Sequence, residues 1–117
     1  MERTQTGQTI WPKEILRLPL VEFHVSGVTG HSMTNTEKQV TFFRFDEGTT
    51  VPDHSHGAQW GYLVQGEMTL EIDGCTELYE AGDIYYVPGG KKHRTIFSRV
   101  SYVIDMGDDP ERFQLHK

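Results

Sequence analysis

The chain has 117 residues, 36% of them hydrophobic, and 11 Lys and Arg against 17 Asp and Glu give it a formal net charge of −6. That length suits one domain with one core, and the acidic balance excludes nucleic acid or an anionic membrane as the main partner, because a polyanion is bound by a basic face. Cys75 is the only cysteine, no run approaches the roughly 20 apolar residues of a membrane span, and the polar start MERTQTGQTIW is unlike a signal peptide, so the expectation is a cytoplasmic protein without disulfides.

The N-terminal arm, residues 1–19, is rich in large apolar side chains for its length: Trp11, Leu16 and Leu18, with Leu20 just beyond. These need a surface to cover, either the chain's own barrel or a second subunit. Within the arm, PKEILRL (12–18) reads equally as a helical turn opened by Pro12 or as an extended strap. Short alternating runs then follow one another: VEFHVS, KQVTFFRF, WGYLVQ, EMTLEID, DIYYVP, HRTIFS and VSYVID. They are rich in β-branched and aromatic residues and bounded by Gly, Pro, Asn and Asp, which predicts strands. Asp73-Gly74 between two of them predicts a tight hairpin. Regular strands with no linker or repeat make a single all-β domain, a sandwich or barrel, over 1–117. The tail, 107–117, is acidic, broken by Pro110, and is expected to leave the sheet.

Two segments carry chemistry. In VPDHSHGAQWGYLVQGE, His54 and His56 stand two apart, and on an extended chain such residues share a face. Two neutral imidazoles on one face are half of a site for zinc, iron, nickel, copper or manganese. In GDIYYVPGGKKHRTIF, Pro88 and the glycines beside it predict a chain reversal that aims His93 back along the next strand, a third imidazole from a distant segment. The basic run around it, Lys91-Lys92-His93-Arg94, reads as a solvated loop apart from that histidine. His24, His31 and His116 have no partner at ligand spacing and read as ordinary.

Together the two segments resemble the paired motifs of the cupin superfamily. Five residues separate Gly48 from His54, and six separate Gln59 from Gly66; Gly82, Pro88, Gly90 and His93 fit the second motif. The resemblance spans residues 48–97 and implies a double-stranded β-helix, or jelly-roll, barrel. It also implies a divalent metal (zinc, manganese, iron or nickel) on His54, His56, His93 and the residue at the family's glutamate position. Here that residue is Gln59, only Gly57 and Ala58 separate it from His56, and Phe97 replaces the family's asparagine. On an unbroken strand Gln59 would face away from His56, so a bend at Gly57-Ala58 is expected.

With Gln59 inward, Gly61 and Leu63 also face in, while Trp60, Tyr62 and Val64 face out; His93 inward carries Thr95 and Phe97 with it. Phe45, Leu63 and Phe97 are the predicted pocket wall, with core filling as the plainer reading of the phenylalanines. The segment VSYVIDMGDDPERF is similar to the strand end of cupins related to the pectin-degradation uronate tautomerases, and this implies an acid/base role for Asp105. The alternative is a solvent-facing acid. Gly107 stands where those relatives have an aromatic, and Arg112 matches their downstream arginine only with a one-residue shift.

Three histidines and an amide leave the metal's charge uncancelled, which favours a small anionic ligand. The expected function is therefore an isomerase or tautomerase moving a proton on a small sugar or organic acid. The alternatives are an iron-dependent dioxygenase and a non-catalytic metal-dependent binding protein. Outward Trp60 and Tyr62, with the apolar arm, predict a homodimer.

Overall fold

Side-chain alternation and β-branched or aromatic content place almost every element in an antiparallel sheet. The computed structural model describes residues 9–54 and 56–115; His116 and the ends of arm and tail lie outside the described residues. After one helical turn, α1 (Lys13–Leu16), come β1 (Val21–Glu22), β2 (Val28–Thr34), β3 (Gln39–Phe45), β4 (Thr50–His54), β5 (Gln59–Gln65) and β6 (Glu67–Ile72). They are followed by β7 (Cys75–Glu80), β8 (Ile84–Val87), β9 (His93–Phe97), β10 (Ser101–Gly107) and β11 (Gln114–Leu115).

A five-stranded sheet in the order β2-β3-β10-β5-β8 faces a four-stranded sheet in the order β4-β9-β6-β7, the two layers of a jelly-roll barrel. The expected alternation holds. Gln59, Gly61 and Leu63 are buried while Trp60 and Tyr62 are exposed, and His93, Thr95 and Phe97 are buried on β9. At the Asp73-Gly74 hairpin both residues have positive φ, 49° and 80°, as a two-residue turn between paired Ile72 and Cys75 needs.

Aromatic rings fill much of the space between the layers. Phe45 and Phe97 stack with centroids 3.9 Å apart, and Phe43 sits 5.2 Å from Phe45. Leu63 and Met68 are fully buried in the same core. Both phenylalanines of the predicted pocket wall therefore also serve the core, the plainer reading of them.

The two chain ends depart from expectation. Only Val21–Glu22 of the first alternating run forms a strand, and it pairs with β11 rather than joining a main sheet. The tail does leave the five-stranded sheet after Gly107 but is then held. The buried amide of Gln39 donates to the Phe113 carbonyl at 3.1 Å and accepts from the Phe113 N–H at 2.9 Å. Trp11 is buried against the chain's own sheet, edge-on to Phe42 and Tyr102 at 5.4 and 5.6 Å, so this residue of the arm covers its own barrel.

Candidate metal centre

His54 closes β4 and faces His93, the first residue of β9, across the register of those strands. His56 is brought to them by a link between the two motifs: the Gly90 N–H donates to the His56 carbonyl at 2.8 Å. Gly90 has φ 76°, a left-handed conformation that glycine adopts at no steric cost, so the Pro88–Gly90 turn packs directly on the bend after His56.

The ligand nitrogens of His54, His56 and His93 all lie within 4.8 Å of one another. Each ring has its Nδ1 on a main-chain carbonyl: Pro52 at 2.8 Å, Gly57 at 2.6 Å and Lys91 at 2.9 Å. An Nδ1–H that donates to a carbonyl leaves Nε2 as the lone-pair nitrogen, which is how metal-binding histidines are oriented. The Nε2 atoms of His56 and His93 come within 3.1 Å. Burial holds all three imidazoles below the ordinary histidine value, His56 down to about 4, and the nearby Arg112 guanidinium adds to the effect. Neutral rings that converge their lone pairs repel one another unless a cation sits between them. The three histidines therefore fit a metal.

Gln59 opens β5 after the expected bend at Gly57, and it is buried. Gly57 has no positive φ there, and a Cβ at 57 would stand 2.5 Å from a carboxylate oxygen of Asp108, the movable end of an exposed side chain. The Gln59 Nε2 donates to Asp105 Oδ2 at 2.7 Å, while Oε1 is buried and has no hydrogen-bond partner among the described residues. A carboxylate accepts only from the NH₂ side of an amide, so the carbonyl oxygen is the end left free. A buried orphan acceptor is costly, and Gln59 is a lining residue of the same cavity as His54 and His93.

Asp105 is 4% exposed, not the solvent-facing acid that its place at the strand end allowed. Its other oxygen accepts from Arg112 Nη1 at 3.0 Å. Burial raises the carboxyl above its ordinary value, and Arg112 opposes that rise. The two positions that depart from the resembled segment, 107 and 112, are neighbours in space. A Cβ on Gly107 would stand 3.8 Å from the Arg112 guanidinium, in ordinary van der Waals contact, so position 107 borders the place that Arg112 takes. The guanidinium also lies 4.3 Å over the Phe113 ring, on the segment that Gln39 clamps.

The cavity shared by His54, His93, Gln59, Asp105 and Arg112 has a volume of ≈ 30 Å³; His56 stands outside its lining, Phe45 and Phe97 line it, and Leu63 is in the core away from it. Sequence reasoning missed Tyr85, which is buried near Asp105 with its hydroxyl pushed up by that burial. The only signal for it is Gly61: the two residues are register partners, and a Cβ at 61 would stand 2.0 Å from the Tyr85 ring. Phe23 was missed as well. It lines both this cavity and an outer recess of ≈ 310 Å³ that shares Val51, His54 and Arg112 and has His24 at its edge.

A family model described as the cupin domain matches residues 41–99. No curated protein is similar enough to the chain to count as a match. Among solved structures, an RmlC-like cupin from Shewanella frigidimarina is 25% identical with a TM-score of 0.73, over 83% of this chain and 87% of that one. KdgF from Halomonas sp. is also 25% identical, with a TM-score of 0.70 over 79% of this chain and 88% of that one. Salicylate 1,2-dioxygenase from Pseudoaminobacter salicylatoxidans shares the fold at 16% identity and a TM-score of 0.69, over 80% of this chain and 30% of its own.

Proposed function

Because the chain belongs to the cupin domain family, we propose that it holds one divalent transition metal through His54, His56, His93 and Gln59 and moves a proton on a small oxygenated acid, as an isomerase or tautomerase. The observation that supports this reading best is the Gln59 amide, whose nitrogen is held by Asp105 and whose buried oxygen is unpartnered. One side chain thus joins a metal position to a buried carboxylate.

The metal, when bound, supplies Lewis acidity toward a substrate oxygen. The protein supplies the rest. All four ligands are neutral, and the Asp105 charge is matched by Arg112, so these groups leave a bound metal's charge uncancelled and favour an anionic oxygen beside it, while Glu22 and Asp53 line the outer recess. Asp105 is held by two donors but keeps a second lone pair on each oxygen with which to take a proton and return it. A cavity of ≈ 30 Å³ admits little more than one substrate oxygen, so the body of the acid rests in the outer recess of ≈ 310 Å³, between Phe23, His54 and Arg112.

The test is a screen of uronic and other sugar acids by NMR proton exchange, run with Asp105→Asn. The variant should keep its metal and lose turnover by about 10²-fold or more, the usual worth of a positioned acid/base group. Metal-dependent binding without exchange in either protein would make this a binding protein. The same small cavity also suits a diatomic gas, which favours an iron-dependent dioxygenase as the second reading. Substrate-dependent oxygen uptake by iron-loaded protein would replace the tautomerase with it.

A further inference from the structure

The outer face of the five-stranded sheet is covered on one side only. Trp11 closes the side formed by β3 and β10, over Phe42 and Tyr102. Across β10, β5 and β8 nothing in the described chain does the same. There Trp60 is in register with both Met106 and Tyr86, and Tyr62 with both Ile104 and Ile84. The result is a continuous block two residues deep and three strands wide. Trp60, Tyr62, Ile84, Tyr86 and Met106 are 47%, 40%, 67%, 45% and 38% exposed, and the block lines a groove of ≈ 630 Å³.

We propose that this groove is the docking surface for a second copy of the chain, related by a two-fold axis. The argument is one of area and charge. Large aromatic side chains carry roughly 150–250 Å² each, so these five residues leave about 500 Å² of apolar surface in water. A standard interface takes about 800 Å² from each partner, and in homodimers about 65% of it is apolar, again about 500 Å². The patch is therefore the size of one apolar half of a dimer interface. Its rim is self-complementary too. Lys38 and Asp108 both line the groove, and neither side chain has an ion-pair partner among the described residues. A two-fold axis sets a surface against its own copy, so a rim with one charge of each sign can pair with itself. Face-to-face packing of two such sheets also leaves the pairing closed.

Light scattering of the full chain at micromolar concentration should give twice the 13.4 kDa chain mass. Ile84→Lys and Tyr86→Lys should each return the single-chain mass with an unchanged far-ultraviolet spectrum. Leu78→Lys, which alters an equally exposed residue of the other sheet, should remain a dimer. Lys38→Glu should weaken association about tenfold and Lys38→Glu with Asp108→Lys should restore it. A wild-type monomer overturns the proposal and leaves the face to another partner; a dimer that survives both groove lysines overturns it by placing the interface elsewhere.

Discussion

Gln59 shows how one neutral side chain can set the character of a site. A carboxylate at 59 would bring a charge closer to the metal, which taken alone tightens binding. The structure adds a cost, because the same atom position now donates to Asp105 at 2.7 Å. In Gln59→Glu two carboxylates would meet there and share one proton, as closely paired acids do. The variant is therefore expected to hold its metal but with a steeper pH dependence than wild type. It should also be inhibited less by simple carboxylates, since the site is less positive. Isothermal titrations with metal and with acetate at several pH values check both. Equal acetate inhibition of the two proteins would remove the charge argument for an anionic substrate.

Among the elements, the strands were readable because each carries its own instruction. The alternation in β3, β5 and β9 says which side faces in, and Pro88 with its glycines says where the chain turns back with His93. What could not be read depends on partners far away in sequence. The Asp105–Arg112 pair requires the return of the tail, which is fixed by Gln39 on another strand. The place of Tyr85 requires the register of β8 on β5. That register makes a firm prediction: Gly61→Ala puts a methyl 2.0 Å from the Tyr85 ring, an overlap that no rotation at 61 can relieve. Overpacking of this kind costs about 1–3 kcal/mol, and urea denaturation should show it as a lower midpoint with an unchanged slope. An unaltered midpoint would mean that Tyr85 leaves the cavity readily.

For the molecule as a whole, the buried histidines tie stability to acidity. Unfolded histidines titrate near 6.5, whereas in the folded chain all three are held lower, His56 at about 4. Between those values the unfolded state binds more protons, so the metal-free protein should lose stability as pH falls from 6.5 toward 4. Asp105 acts in the opposite sense, because its carboxyl is held above its ordinary value and gains from acid. Thermal melts in chelator for wild type and His56→Gln separate the two, with the variant's melting temperature falling less over that range. Parallel curves would remove His56 as the titrating group. The hydrogen bond from Gly90 to the His56 carbonyl has a further consequence. Together with the three carbonyls that orient the rings, it gathers three imidazoles at one point during folding, so that part of the entropy of assembling a metal site is already met. An ion that binds there would draw nitrogens now up to 4.8 Å apart in to bonds of about 2.0–2.1 Å, so selection among metals would rest on how well each ion's radius and preferred geometry suit that closure.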